Sequence, residues 1–339
     1  MSIVRAFRAV SILVGTSMPM GGCAHGPAVI FESQGAPLTV HRPALYPETI
    51  EYNSSDDTFL LSSVRDGAIY KVDQAGKVSL LVDDPRLCSV LGIAVDAGRR
   101  RIWAVNSDLG AGIKPSAAGP KKLAGVGVYD LDSGKPLNYV DLTPLLDGPH
   151  LVNGIALDTS GNAFITDSFS PVIYRVTSEG SASIFLKDDR FSGTAVNLNG
   201  LIVHPDGYLL VIKKSDGTLF KVPLDRPTAF SKVGVDQTFV GGDGLNLVGK
   251  QDLVIIANRT PEGSSNSAFS LSSEDGWVTA KVKSVQQLGD VYPTTAVLRN
   301  RTLHVLHSKL NQLIAAPQEQ KAQLREQATI RPIGRVSGN

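Results

Sequence analysis

Short apolar runs with period-two alternation, each bounded by Gly, Asp, Asn or Pro, fill the chain from about residue 28 onward. They predict strands rather than helices. One phrase recurs: a polar or small pair leads into an apolar strand, a turn follows, and a second apolar strand returns. Its instances include "LGIAVDAGRRRIWAVNSD", "NGIALDTSGNAFITDSFSPVIYRVT", "NGLIVHPDGYLLVIKKSDGTLFKVP" and "DGLNLVGKQDLVIIANRT". The heads of the six copies fall at Glu48, Leu91, Asn153, Asn199, Asp243 and Thr294, in steps of 43, 62, 46, 44 and 51 residues. Repeats of about 40–50 residues, each holding four short strands, are the signature of propeller blades. The expected fold is all-β: a single six-bladed β-propeller over residues 28–338, with four-stranded blades around a central channel. A β-sandwich does not account for six phrases in one phase. Either "AVIFES" near the start or "ATIRPIGRV" near the end is expected to supply an outer strand that closes the ring and covers sheet edges. Helical periodicity is nearly absent; the polar stretch Pro317–Gln327 is the exception and reads as a short surface helix. The long step between Leu91 and Asn153 holds a Gly-, Ala-, Pro- and Lys-rich insertion, Asp108–Gly125, which reads as a loop shaping one face of the propeller.

Phase also places chemistry. The innermost strand of each blade lines the channel, so the six heads should form one ring. Four carry side-chain oxygens: the carboxylates of Glu48 and Asp243 and the amides of Asn153 and Asn199. Calcium takes six to eight oxygen ligands and accepts such mixed sets. The ring has no His or Cys, which disfavours a zinc site. Asn-Gly and Asp-Gly are also turn dipeptides, so any one head alone reads as a turn. Four in phase point to one divalent cation, calcium first, held by Glu48, Asn153, Asn199 and Asp243. Strand-end residues form a second tier: Asn106, Asp108 and Asn258 are expected around a substrate pocket, with Asp167 beside them. Lys213, Lys214 and His307 sit at comparable strand ends without an assigned role.

Composition narrows the class. An apolar fraction of 42% supports a sizeable core, and a net charge of +1 without a basic stripe disfavours nucleic acid as a partner. Residues 1–22 read as an export signal, with Arg5 and Arg8 ahead of the apolar run Ala9–Gly15. "MGGC" places Cys23 where a bacterial lipoprotein would be lipidated, so the chain is expected in the periplasm, on a membrane through that anchor, or secreted. Removing residues 1–22 takes away two arginines and no acids, which brings the net charge to −1. The other cysteine, Cys88, lies beside an apolar run and reads as a buried thiol without a disulfide partner. No Gly-x-Ser-x-Gly elbow or HExxH motif occurs.

The phrases "LVNGIALDTSGNAFITDS", "LNGLIVHPDGYLLVI" and "GGDGLNL", with "YPETIEY" before them, resemble the gluconolactonase/regucalcin (senescence marker protein) superfamily. The resemblance implies a six-bladed propeller with a divalent cation in the channel and lactone hydrolysis. It also implies metal ligation by Glu48, Asn153, Asn199 and Asp243, a set nearer the paraoxonase and drug-responsive lactonase branches than the sugar-lactonase branch. Leu91 and Asn106–Ser107 stand where paraoxonases carry a histidine pair, so that proton-transfer scheme does not carry over. The expected activity is metal-dependent hydrolysis of a small-molecule lactone or related ester by a monomer, with Asp243 or Asp167 as general base. The alternative is a non-catalytic exported propeller that binds a ligand or partner.

Overall fold

The computed structural model describes residues 29–32, 35–260 and 266–337. The expected export signal at residues 1–22 and lipidation at Cys23 lie outside them. Blade one contains, from the channel outward, Ile50–Asn53, Thr58–Ser63, Ala68–Val72 and Val78–Asp83. Blades two to five repeat this antiparallel order over residues 89–141, 152–187, 198–232 and 242–287. The first strands of successive blades pack on one another in a closed circle, with blade six touching blade one. The fold is a six-bladed β-propeller.

Closure uses both candidate segments. Blade six takes Pro293–Arg299 and Thr302–His307, then Thr329–Val336 as its third strand, and Val29–Phe31 as its fourth. Val29 pairs with Val336 and Phe31 with Gly334, so the two ends of the chain are hydrogen-bonded into one sheet. The core lies between the faces of neighbouring blades. Strands buried on both faces read as continuous apolar runs: Leu209, Leu210, Val211 and Ile212 are all 0% exposed. Phe191, Phe220 and Phe230 interlock, with ring centroids 4.8–5.7 Å apart. Each such side chain contributes about 1.5–3 kcal/mol on burial.

One local device recurs and positions the ring. In blades two to six the inner strand breaks register at the head residue and its successor, between Val90 and Ile93, Val152 and Ile155, Leu198 and Leu201, Gly242 and Leu245, and Pro293 and Ala296. The extra residue of such a bulge bends the strand and re-aims side chains. The glycine after four heads serves close packing rather than a turn, although three of the four dipeptides, Asn-Gly twice and Asp-Gly once, read as turns. A Cβ on Gly92 would lie 2.3 Å from the Asn153 carbonyl oxygen, on Gly154 2.4 Å from that of Asn199, and on Gly200 2.0 Å from that of Asp243. A Cβ on Gly244 would lie 2.9 Å from the Thr294 carbonyl oxygen. Each glycine lets one blade's inner strand touch the next blade's ring residue. In "GGDGLNL" only Gly241, at φ +85°, serves a turn.

Two insertions stand at the end of the channel where the inner strands begin. The blade-two insertion, expected as a loop, carries no regular structure between Ser107 and Ala124. The other lies within blade six. It contains a helix at Leu310–Ala315, which strand periodicity did not predict, and a single turn at Gln318–Lys321 inside the expected Pro317–Gln327 segment. Among the described residues no helix is long and apolar enough to cross a membrane.

Candidate functional site

Glu48, Asn153, Asn199 and Asp243 meet in the channel. They are 3–5% exposed, and all four line two cavities, one on each side of their layer. The cavity of about 380 Å³ is walled by the inner strands. The other, about 340 Å³, lies under the insertions. Its walls are largely apolar, with Leu91, Leu109, Phe169, Tyr292 and Leu310 among them, and Lys214 joins the ring residues at its floor.

Neighbouring strands fix each ring side chain. Ser168 Oγ donates to the Leu198 carbonyl, so it can only accept from Asn153 Nδ2, at 3.1 Å. This turns the Asn153 amide so that Oδ1 is buried and has no hydrogen-bond partner. Thr166 Oγ1 accepts from Gly154 N at 3.0 Å and donates to the Asn199 carbonyl at 2.6 Å. Ser62 Oγ accepts from the backbone N–H groups of Glu48 and Thr49 at 3.2 and 2.9 Å, and Thr49 Oγ1 donates to Glu48 Oε2 at 2.6 Å. Thr294 Oγ1, the ring residue of blade six, is also buried without a partner.

Asp243 divides its two oxygens. Oδ2 accepts from Lys214 Nζ at 2.8 Å and from Asn258 Nδ2. Asn258 also accepts from Lys214 through Oδ1 at 2.6 Å and donates to the Pro293 carbonyl at 3.1 Å. Oδ1 of Asp243 is buried and has no partner. Burial, and then the Asp243 charge, push the Glu48 carboxyl well above the usual carboxylate range. Burial alone would lower the Lys214 ammonium, but Asp243 and, less strongly, Tyr292 and Glu48 raise it overall, so Lys214 is a buried cation.

The donor set suits a hard cation. Buried acceptors without donors are costly, and Asn153 Oδ1 and Asp243 Oδ1 are two such atoms on residues that share both cavities. An ion ligated by oxygen would satisfy both. Among the described residues no group of three or more His, Cys, Asp or Glu side chains could hold a metal ion, so any ion here depends on the two asparagines.

The second-tier residues divide differently. Asn258 belongs to the site through Asp243 and Lys214. Asn106 is structural: its Oδ1 accepts from Cys88 N at 2.7 Å, and its Nδ2 donates to the Arg86 carbonyl and Tyr139 Oη. Asp108 holds the blade-two insertion, accepting from Gly110 N at 2.7 Å and from Ser116 N and Oγ at 2.8 Å. Neither Asn106 nor Asp108 lines the upper cavity. Asp167 is fully buried outside it: Oδ1 accepts from the backbone of Leu151, Phe169 and Ser170, and Oδ2 faces His150 Nδ1 at 2.8 Å. With its lone pairs so engaged, Asp167 organises the loop and has no route to a substrate there. Lys214, named from the sequence only as a strand-end residue without an assigned role, joins the ring through its bonds to Asp243 and Asn258. Its signal was the second lysine of "VIKK", which stands where the neighbouring blade has Ser168, one residue past "ITD".

No family model and no curated protein matches the chain. Among solved structures, the major allergen Mala s 1 of Malassezia sympodialis is 17% identical with a TM-score of 0.68, covering 90% of this chain and 97% of its own. A calcium-binding protein, regucalcin, from Agrobacterium tumefaciens is 15% identical with a TM-score of 0.59, covering 91% and 96%. A luciferin-regenerating enzyme is 13% identical with a TM-score of 0.59, covering 92% and 98%. At these identities the likeness is one of fold, and it extends over nearly the whole length of each chain.

Proposed function

We propose that the protein is a divalent-cation-dependent hydrolase of lactones or related esters, acting at the floor of the upper cavity. The observation that carries this reading is the pair of buried, partnerless oxygens, Asn153 Oδ1 and Asp243 Oδ1, in a layer shared with Glu48 and Asn199. Regucalcin, a structural neighbour described as calcium-binding, agrees with calcium as the first ion to test. Glu48, Asn153, Asn199 and Asp243 would hold the ion. Bound there, it would polarise the ester carbonyl as a Lewis acid and offset the charge that develops on its oxygen.

The chain's own residues do the rest. Apolar walls hold the acyl part of the substrate and keep bulk water from the floor. Asp243, oriented through Oδ2 by Lys214 and Asn258, takes the proton of the attacking water on Oδ1, whose two lone pairs leave one for the proton beside the one offered to the ion. The new C–O bond forms as the acyl–oxygen bond breaks, and the proton passes to the departing alkoxide. Asp243→Asn tests the assignment: calcium binding by calorimetry and turnover of a lactone panel, with and without chelator, should be lost together. Full turnover in that variant would refute it.

A second reading, a non-catalytic ligand-binding propeller, is favoured by one observation. Asp243 already carries an internal counter-charge in Lys214. Ligand binding without hydrolysis across lactone and aryl-ester panels would select it. Export, with residues 1–22 removed and Cys23 lipidated, remains part of the proposal, and mass spectrometry of the mature N-terminus tests it.

A further inference from the structure

The upper cavity is lined by five acidic or basic side chains, and they fall into two sets. Glu48, Asp243 and Lys214 lie buried at the floor, where the lysine is paired with Asp243. Lys121 and Lys321 belong to the two insertions rather than to the blades. Lys121 is exposed and Lys321 half-buried, which puts both at the mouth. Neither forms an ion pair among the described residues. Lys121 Nζ stands 5.5 Å from the centroid of the Phe169 ring, and Lys321 Nζ donates to the Gly110 carbonyl at 3.1 Å. That last bond joins the blade-six insertion to the blade-two insertion. Between floor and mouth the walls are apolar: Leu91, Leu109, Ala111, Leu151, Val196 and Leu310.

This distribution fixes both the chemistry and the direction of a ligand. Its apolar body must span the middle of the cavity. The floor has no side chain free to pair with a negative group: Lys214 is already bonded to Asp243 and Asn258, and on the hydrolase reading the remaining oxygens serve the cation that takes the reactive carbonyl. The mouth, by contrast, offers two ammonium groups with no acid among the lining residues to offset them. A positively charged ligand would meet those lysines on entry and find no matching carboxylate there.

We propose that the natural substrate is an amphipathic anion: a lactone or ester with an apolar body, whose reactive carbonyl lies at the floor and whose carboxylate or similar group is held at the mouth by Lys121 and Lys321. This rests on the hydrolase reading for its reactive group, but its charge preference can be tested without turnover. Two lactams serve as probes, since they copy a γ-lactone but resist hydrolysis: one bears a hexyl side chain, the other the same chain ending in a carboxylate.

Calorimetry at low salt should find the carboxylate form bound about tenfold more tightly, the size expected of two partly exposed charge pairs. The preference should shrink as salt rises. In the Lys121→Gln/Lys321→Gln double variant the ratio should fall to near one. Lys121→Glu, which also takes the charge at the mouth from +2 to 0, should likewise bring the ratio near one, and this variant guards against a double variant that fails to fold. Equal or tighter binding of the neutral lactam by the unaltered protein, or an unchanged ratio in the variants, would overturn the proposal. If the carboxylate lactam binds as expected while neither parent lactone is hydrolysed with calcium present, the hydrolase reading fails and the charge preference stands.

Discussion

Lys214 and Asp243 form a buried ion pair, with Nζ 2.8 Å from Oδ2, and Asn258 completes it by bonding to both. The pair leaves the other oxygen of Asp243 facing the ring without a donor. Removing one partner of a buried pair strands the other charge, at a cost of about 3–5 kcal/mol. Lys214→Met should therefore lower stability by about that amount in cation-free buffer. A divalent cation at the ring would then supply the missing positive charge. Calcium should thus raise the melting temperature of Lys214→Met by more than that of the unaltered protein. Equal melting temperatures without cation would refute the ion pair, and equal calcium shifts would refute the coupling.

Gly200 and Asp243 meet across two blades, and the approach has no slack. A methyl group at Gly200 would lie 2.0 Å from the Asp243 carbonyl oxygen, and that neighbour is backbone, which cannot rotate away. Gly200→Ala should cost about 3 kcal/mol or more and reduce cation affinity at the ring, because relief requires moving Asp243. Gly207→Ala is the control. It sits in open space at φ +86°, so only left-handed backbone strain of about 1–2 kcal/mol is expected, with cation affinity retained. Denaturant unfolding with calcium titration separates the two. Similar losses in both variants would mean that the contact does not position the ring.

The propeller was legible because its signal is repeated. Six heads in one phase identified the blades and placed Glu48, Asn153, Asn199 and Asp243 on a common layer. What the dipeptides concealed was the reason for their glycines: Gly154 and Gly200 read as turns because close approach between blades leaves no local mark in a sequence. Asp167 and Asn106 were misleading for a related reason. A strand-end Asp or Asn can face a cavity or tie down the next loop, and only the neighbouring backbone N–H groups decide which. Lys214 was the converse case, since its meaning depends on Asp243 and Asn258, 29 and 44 residues away. The helix Leu310–Ala315 was hidden because one short turn-and-a-half of apolar spacing looks like the end of a strand phrase.

Ser168 fixes the orientation of the Asn153 amide, and through it the oxygen offered to the channel. Its hydroxyl proton is committed to the Leu198 carbonyl, so only the amide nitrogen of Asn153 can approach it. Ser168→Ala removes that constraint and lets the amide rotate. Loss of a partner that orients a metal ligand typically lowers affinity by about 10- to 100-fold. Calorimetric titration of Ser168→Ala with calcium should give a drop at the lower end of that range, while stability falls by only about 1–3 kcal/mol. Unaltered calcium affinity would remove Ser168 from this role.

His307, at the end of the second strand of blade six, should give the protein an acid-sensitive component of stability. Its Nε2 is buried without a hydrogen-bond partner. Burial first, and then the charges of Arg331 and Lys309, lower its pKa from 6.5 to about 4. The folded state thus disfavours the imidazolium that the unfolded chain readily forms. Between pH 6.5 and about 4 the unfolded state binds more protons at this position, so stability falls as pH falls across that window. Above it both states hold a neutral ring and the contribution is complete. The shift corresponds to about 3 kcal/mol. His307→Gln cannot take up a proton, so the difference in unfolding free energy between variant and unaltered protein should change by about that amount from pH 7 to pH 4. Parallel stability curves across that range would show that His307 is not held neutral by the fold.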